Sequence, residues 1–226
     1  MLEEEAKRLA AQEAVRLLPD EGVIGLGTGS TAKYFIDALA VAVRQGKRLR
    51  GVPTSEASRA QAEALGIELL LDAGPWSIDL CVDGADEVDA DLDLIKGGGG
   101  SHTREKIVNF ASKRNVIVVD ERKLSRRLGE KWPVPVEILE FGWRATMDAL
   151  SQFGSCTRRC RGDHEVRTDC GNFICDVKVG PMSEPALVDG RIRAIPGVVE
   201  TGLFCGRADV VIVAGVGGVR TLTKGG

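Results

Sequence analysis

The sequence predicts an α/β protein: a doubly wound, mostly parallel, Rossmann-like sheet with a smaller α+β domain inserted near the C-terminus. Short apolar runs alternate with segments of helical periodicity through the first half of the chain. After Trp132 the pattern changes to prolines and an alternating strand, and the run at 208–214 is apolar again. We therefore expect a main α/β domain at 1–130 and 205–226, carrying the functional residues, and a small α+β domain at 131–204.

The predicted elements follow in a regular order. An amphipathic helix is expected first, and later helices should begin at Ser30, after Ser55 and after the glycines at 97–100. The apolar runs that predict strands of the main sheet are 22–27, 49–52, 68–71, 78–82, 116–119 and 208–214. In the small domain we expect a helix at 145–153 and a strand at 173–179. Because ligands bind beyond the carboxyl ends of parallel strands, polar clusters that follow strands are candidates for the site.

The composition argues against several classes of protein. The chain of 226 residues has 30 basic and 33 acidic residues, a formal charge of -3, which gives no overall attraction to nucleic acid or anionic membranes. Its N-terminal stretch is acidic and amphipathic, unlike a signal peptide, and no apolar run reaches the roughly 18 residues of a membrane helix. We expect a cytoplasmic protein whose six cysteines are reduced, buried small side chains.

The first polar cluster is a glycine turn between a strand and a helix, Gly25-Leu-Gly-Thr-Gly-Ser-Thr31. Glycines allow a close backbone approach to a ligand, hydroxyls donate hydrogen bonds, and the following helix N-terminus favours an anion. A dinucleotide motif would require glycine where Ser30 stands, and the Gly-Lys-Ser/Thr of a nucleotide P-loop is absent. The cluster therefore favours a phosphate site over a purely structural turn.

Three further clusters follow strands. The pentapeptide Asp83-Gly-Ala-Asp-Glu87 is compatible with a solvated acidic loop, a helix start or a divalent-metal site with oxygen ligands. Lys96 leads into four consecutive glycines. Because glycines cost backbone entropy on folding, such a run indicates positions where the backbone approaches another group closely or has a positive φ. Glu105 should fall in the next helix's first turn, either as a functional carboxylate or as a surface residue that complements the helix dipole. Lys123 follows another strand towards the same edge.

The cysteines of the small domain give a weak indication of zinc. Cys156, Cys160, Cys170 and Cys175 lie near His164 in sequence. Their spacings lack the close C-x2-C pairs of structural zinc sites, so we expect no metal there.

Taken together, the clusters resemble ribose-5-phosphate isomerase of the A type, over essentially the whole chain. The matching motifs, in chain order, are Gly25 to Ala32, Pro53-Thr-Ser55, Asp83 to Glu87, Lys96 to Gly100, Thr103-Arg-Glu-Lys106, Asp120-Glu-Arg-Lys123, Thr168-Asp169 with Gly171-Asn172, and Gly197 to Phe204. Each motif is weak alone, but so many in one order make a chance match improbable. Two features depart from the family pattern: Ser101-His102, which places a histidine close to Glu105 in sequence, and Cys170.

The resemblance implies an enzyme of the non-oxidative pentose phosphate pathway that interconverts ribose 5-phosphate and ribulose 5-phosphate. It implies no metal or other cofactor, a sugar-phosphate ligand, and a homodimer or homotetramer. Glu105 would be the proton acceptor, with Asp83, Asp86 and Lys96 as further catalytic residues. The residues implied to bind substrate are Lys7, Thr28, Gly29, Ser30, Thr31, Gly84, Ala85, Gly97, Gly98, Gly99 and Lys123.

Two rival functions are considered for a fold of this kind. A non-catalytic sugar-phosphate sensor would be expected to lose or bury the base, whereas Glu105 and Lys96 are both present. A nicotinamide-dependent dehydrogenase is disfavoured by Ser30 and by the basic run at 47–50, where an acidic ribose-binding residue would be expected. The isomerase is the leading hypothesis, and no nucleic-acid or membrane partner is expected.

Overall fold

The computed structural model describes residues 3–224, which divide into two compact units. Unit 1 takes the chain up to Ala85, then Arg104–Lys123 and the chain from Arg207; unit 2 takes Asp86–Thr103 and Leu124–Gly206. The sequence-based boundary placed 86–103, 124–130 and 205–206 in the main domain. The structure assigns them to unit 2, where the segment after Asp86 forms a small sheet with residues 203–204.

The elements are short and regular. In chain order they are α1 (Glu3–Val15), β1 (Glu21–Leu26), α2 (Ser30–Arg44), β2 (Arg48–Pro53), α3 (Glu56–Ala64), β3 (Leu80–Asp83), β4 (Glu87–Val88), β5 (Leu94–Ile95), α4 (His102–Phe110), β6 (Asn115–Asp120), β7 (Val134–Ile138), α5 (Trp143–Leu150), β8 (Ser155–Arg158), β9 (Cys160–Arg161), β10 (His164–Glu165), β11 (Phe173–Lys178), α6 (Pro185–Arg193), β12 (Val198–Thr201), β13 (Leu203–Phe204), β14 (Val210–Gly215) and β15 (Gly218–Thr223). Single turns of 3-10 helix lie at Glu121–Lys123 and Ser151–Phe153.

Unit 1 contains a six-stranded sheet in the order β15-β14-β6-β3-β1-β2. Every neighbouring pair is parallel except β14 with β15, which is antiparallel. The predicted mostly parallel sheet is therefore confirmed, although β15 was not foreseen. The strand predicted at 68–71 was wrong: there, only Leu69 bridges to Gly51.

Alternate residues of β1 pack on opposite faces of this sheet. Ile24 and Leu26 join the larger core, which α1 and α2 cover, while Val23 packs on the other side with Val108 of α4. A Cβ on Gly25 would lie 2.8 Å from the Val108 side chain, so a glycine is needed for α4 to approach the strand this closely. Val108 of α4 is thereby held against β1.

Unit 2 is an α+β unit with mainly antiparallel strands. Its sheets have the orders β12-β7-β11-β8, β13-β5-β4 and β10-β9. The apolar face of the largest sheet packs against α5 and α6, for example through Leu150 and Ile192. The α+β character was predicted, but β7, β8, β12 and α6 were not.

The cysteines are free thiols with mixed burial. Cys81 and Cys175 are buried and Cys156 and Cys205 are half-buried, but Cys160 and Cys170 are exposed. The expectation of buried cysteines was wrong for the last two, because they lie at a short hairpin strand and a turn. Among residues 3–224, no helix is both long and apolar enough to cross a membrane.

Candidate functional site

In unit 1, a group of hydroxyls lies at the carboxyl ends of β1 and β2. The Thr28 Oγ1 lies 2.7 Å from the Thr54 Oγ1 and donates to the Ser55 Oγ at 2.8 Å. Thr54 and Ser55 are buried, and the Ser58 hydroxyl donates to the Gly27 carbonyl at 2.6 Å. The sequence indicated Thr28 as a ligand-binding residue; its hydroxyl is held within this group and fixes the turn after β1.

Gly29, Ser30 and Thr31 form the N-terminus of the 15-residue helix α2. Gly29 has φ +110, which favours glycine, and a Cβ there would meet no atom within 4 Å. Gly29 and Ser30 are exposed, and the first turn of α2 carries no acidic residue. The N–H groups of this helix end can therefore receive an anion.

Asp83 ends β3 and is only 3% exposed. Its Oδ1 accepts the backbone N–H of Thr28 at 3.0 Å and that of Gly84 at 2.7 Å. A Cβ on Gly27 would lie 2.5 Å from the Asp83 Cα, so the ends of β1 and β3 meet only because position 27 is glycine. Gly84 and Ala85, half-buried, follow in the same loop.

Glu105 lies in the first turn of α4 and is 4% exposed. That burial contradicts the alternative that Glu105 is a surface residue complementing the helix dipole. Its neighbour Lys106 is also buried. A carboxylate withdrawn from bulk water on a helix packed against β1 has the fixed geometry and dry surroundings that proton transfer from carbon requires.

Two further lysines indicated by the sequence lie in unit 1. Lys7 is in α1, which packs against β6 and β14, and is 9% exposed. Lys123 ends the 3-10 turn after β6 and is half-buried. Within that turn Arg122 donates to the Asp120 carboxylate at 2.7 Å. Burial tends to raise the pKa of Asp120, but the hydrogen bonds from Arg122 outweigh it and hold that pKa below its ordinary value.

In unit 2, Asp86 and the glycine run lie together. The Asp86 Oδ2 accepts the Gly98 N–H at 2.6 Å. Gly97 and Gly100 have positive φ values, +106 and +86, and the Gly100 N–H donates to the Gly97 carbonyl at 2.9 Å. The glycines thus form a tight turn, in which Gly98 and Gly99 are exposed. The expectation of positive φ in this run is confirmed.

Lys96 enters this turn from β5 and is 3% exposed. Its backbone N–H donates to the Gly202 carbonyl at 2.8 Å, and its Nζ lies 5.5 Å from the centre of the Phe204 ring. The face of an aromatic ring attracts a cation at this distance.

His102, which belongs to one of the two departures from the family pattern, is fully buried at the start of α4. Its Nε2 lies 3.3 Å from the Glu200 carbonyl, and a Cβ on Gly97 would lie 2.7 Å from its Nδ1. The imidazole therefore packs directly on the glycine turn.

The acidic pentapeptide does not form a metal site in the part of the chain that is described. Glu87 is fully buried and accepts the backbone N–H groups of Gly129, Lys131 and Trp132 at 3.0 to 3.2 Å, a structural role. Across residues 3–224, no group of three or more His, Cys, Asp or Glu side chains is placed to hold a metal ion, including the cysteines near His164.

Sequence reasoning missed Glu137, a fully buried carboxylate in β7. It accepts hydrogen bonds from the hydroxyls of Thr103 and Thr168, the latter at 3.0 Å, and from the Asn172 amide at 2.7 Å. Thr103 stands two residues before Glu105 in the chain. A glutamate within an otherwise apolar strand was the available signal.

Comparisons with known proteins identify the family of this chain. The family model for ribose 5-phosphate isomerase A (phosphoriboisomerase A) matches residues 50–218. The chain is 49% identical to ribose-5-phosphate isomerase A of Gloeobacter violaceus, over 96% of this chain and 95% of the relative. It is 44% identical to the enzyme of the same name from Pyrococcus abyssi, over 98% of this chain and 99% of the relative.

Solved structures give the same result. A D-ribose-5-phosphate isomerase in complex with phospho-erythronic acid superposes with a TM-score of 0.95 at 41% identity, covering 99% of this chain and 100% of that one. Ribose 5-phosphate isomerase A from Methanocaldococcus jannaschii gives a TM-score of 0.92 at 42% identity, with the same coverage. The chain therefore belongs to the ribose 5-phosphate isomerase A family.

Proposed function

We propose that this protein interconverts D-ribose 5-phosphate and D-ribulose 5-phosphate through an enediolate, with Glu105 as the base. Membership of the family is the evidence for the reaction, and the burial of Glu105 on α4 is the evidence for the choice of base. The proposal includes a place in the non-oxidative pentose phosphate pathway, a cytoplasmic location, a homodimer or homotetramer and no metal cofactor, all implied by the sequence resemblance.

The chemistry requires one carboxylate that acts twice. Glu105 removes the proton from C2 of the open-chain aldose; the electron pair forms the C1–C2 double bond, and the aldehyde oxygen becomes the anionic oxygen of the enediolate. The same carboxyl returns the proton to C1 while the proton of the C2 hydroxyl passes to O1, so that C2 becomes the ketone and C1 carries a hydroxyl group. General acid–base catalysis of this kind contributes about 10²- to 10⁴-fold.

The enediolate needs positive charge or N–H donors to stabilise it. We assign this to Lys96 and the backbone N–H groups of Gly97 and Gly99, since preorganised donors stabilise developing charge most in dry sites. The Gly98 N–H holds Asp86 beside them. The turn geometry of the glycines and the burial of Lys96 support the assignment.

The remaining residues bind and prepare the substrate. We assign the phosphate to the α2 N-terminus at Gly29, Ser30 and Thr31, with Lys7 and Lys123 as cations and Thr28 fixing the turn. Asp83 and Asp86, with the loop atoms of Gly84 and Ala85, would bind sugar hydroxyls and move protons during ring opening. Phosphate binding remote from the reacting carbons supplies orientation, so D-ribose should lose kcat as well as affinity.

A catalytically silent sugar-phosphate sensor is the second candidate, because the base is buried. Burial does not separate the two functions, however, since a catalytic carboxylate also works away from water. Identity of 44 to 49% with named isomerases over nearly the whole chain favours the enzyme.

Solvent deuterium incorporation tests the base directly. Wild-type protein incubated with ribose 5-phosphate in D2O should place deuterium at C1 of ribulose 5-phosphate and C2 of ribose 5-phosphate, as followed by NMR. Glu105→Gln should abolish this incorporation, whereas Glu63→Gln, which changes an exposed helical glutamate, should leave it intact. Equal incorporation by Glu105→Gln and wild type would refute the assignment; no incorporation by any of the three would favour the sensor.

A further inference from the structure

Both ends of the peptide unit that joins Gly97 to Gly98 are held by charged side chains. At one end the Gly97 carbonyl accepts from the Arg159 Nη1 at 2.6 Å, and at the other the Gly98 N–H donates to Asp86 at 2.6 Å. The same Nη1 also lies 3.2 Å from the Gly98 carbonyl. All of these residues belong to unit 2. Hydrogen bonds to charged groups are shorter and stronger than neutral ones, so they fix the orientation of this peptide.

Arg159 is itself held in place. Its Nε donates to one Asp176 oxygen at 2.9 Å and its Nη2 to the other, a two-point pairing that exploits the planar guanidinium. Its backbone N–H donates to the Ile174 carbonyl at 2.8 Å, which ties the residue to β11. The side chain is 15% exposed, so solvent competes little for these bonds. The guanidinium thus links a rigid sheet to the glycine turn.

This contact determines which way the glycine N–H groups face. The carbonyl and the N–H of a trans peptide point in opposite directions. Because the carbonyls of Gly97 and Gly98 point to Arg159, the N–H groups of Gly98 and Gly99 point away from it, to the side of Asp86. A Cβ on Gly98 would lie 2.7 Å from the Asp86 Oδ1, so only glycine allows this approach.

We propose that Arg159, fixed by Asp176, is a positioning residue of the isomerase: it holds the Gly98 carbonyl so that the Gly99 N–H of the same peptide faces the enediolate oxygen, while the Gly98 N–H is bonded to Asp86. The proposal rests on the role given above to the glycine run. Without Arg159, the glycine turn loses the hydrogen bonds that orient its peptide groups. N–H donors that are misplaced by about 1 Å lower the rate by up to roughly 100-fold.

The variants are Arg159→Met, Arg159→Lys and the matched control Arg158→Met. Arg158 is adjacent in sequence but lies over the Trp143 and Phe173 rings and pairs with Glu165 at 2.8 Å. Arg159→Met should lower kcat/KM about 10- to 100-fold, mainly through kcat. Arg159→Lys should restore little, because one ammonium cannot reproduce the two-point pairing. Arg158→Met should keep kcat within about threefold of wild type.

Ligand binding provides a readout that a merely structural role would not reproduce. Phospho-erythronic acid, bound in one relative's structure, combines a phosphate with a planar carboxylate that imitates the anionic enediolate. By calorimetry, Arg159→Met should bind it about 10- to 100-fold more weakly than wild type, while inorganic phosphate binds with unchanged affinity. Arg158→Met should bind both as wild type does.

The proposal would be overturned if Arg159→Met matched Arg158→Met, or if it lost affinity for both ligands equally. Should Arg159→Met not fold, the same comparison with Arg159→Lys decides, since the lysine keeps the charge and most of the stem. Binding involves no proton transfer, so the outcome is independent of Glu105. An error in the choice of base would appear as turnover by Glu105→Gln and would leave the binding result intact.

Discussion

Removing the Glu137 carboxylate should destabilise unit 2 by an amount that depends on the substitute. Oε1 accepts from Thr168 and Asn172 and Oε2 accepts from Thr103, so three donors meet one fully buried group. Hydrogen bonds to a charged acceptor contribute about 1.5 to 3 kcal/mol each. In Glu137→Leu the half-buried Thr103 and Asn172 can turn to water and leucine regains apolar burial, so we expect a loss of about 3 to 5 kcal/mol.

Glu137→Gln is the sharper test of this network. The amide oxygen can keep the bonds from Thr168 and Asn172, while the amide nitrogen donates to the Thr103 hydroxyl, which can reverse its role. Only the charge assistance is lost, so we expect about 1 to 2 kcal/mol. At about 2 to 4 °C per kcal/mol for a chain of this size, the two variants should differ in melting temperature by several degrees.

Two threonine variants separate stability from catalysis. Thr168 also accepts the backbone N–H groups of Cys170 and Asn172 at 3.2 Å, so Thr168→Val should lower stability by about 2 kcal/mol with little change in kcat. Thr103 lies in the first turn of α4, so Thr103→Val should lower stability by only about 1 kcal/mol but reduce kcat several-fold. Urea unfolding monitored by the fluorescence of Trp132 and Trp143, both in unit 2, measures the first quantity. A Glu137→Leu variant as stable as wild type, or an equal loss of activity in both threonine variants, would refute the role given to this network.

Further predictions concern two glycines and a buried acid. Gly27→Ala places a Cβ 2.5 Å from the Asp83 Cα, so the strand ends must separate and kcat/KM should fall at least about 100-fold; unchanged kinetics would refute the close approach. Gly190 lies in α6, where an added Cβ would meet no atom within 4 Å. Gly190→Ala should therefore raise the free energy of unfolding by about 0.5 to 1 kcal/mol without altering kcat. Burial raises the pKa of Asp89 from 3.8 to about 6, so its ionised form destabilises the fold above pH 6 and the penalty disappears as pH falls towards 4. Asp89→Asn should therefore gain up to about 3 kcal/mol at pH 8 and nothing at pH 4 in urea titrations, and a gain that grows at low pH would contradict the sign.

The parallel sheet of unit 1 was predictable because its strands are continuous apolar runs bounded by glycine or polar turns, as in 22–27 and 208–214. The strand β7 was not predictable, because Pro133 and Pro135 argue against a strand and Glu137 interrupts its apolar pattern. Its proline carbonyl nevertheless accepts the Gly202 N–H at 2.6 Å, and its glutamate is satisfied by side chains. Neither contact is visible from local sequence.

The candidate site was predictable to the extent that its residues form compact motifs at strand ends, such as Asp83 and the glycine run. Glu137 and Arg159 escaped notice because each acts on residues far away in the chain. The Glu137 carboxylate accepts a hydrogen bond from Thr103, 34 residues away in the chain, and Arg159 donates to Gly97, 62 residues away. Periodicity and short motifs carry no information on such pairs, which only the folded chain brings together.

The most direct test of the central claim is the conversion of ribose 5-phosphate to ribulose 5-phosphate by purified protein in excess EDTA, measured side by side with Glu105→Gln. We expect the wild type to keep full activity in EDTA and Glu105→Gln to lose at least about 100-fold in kcat while still binding phospho-erythronic acid. Wild-type activity that requires an added metal, or undiminished turnover by Glu105→Gln, would contradict it.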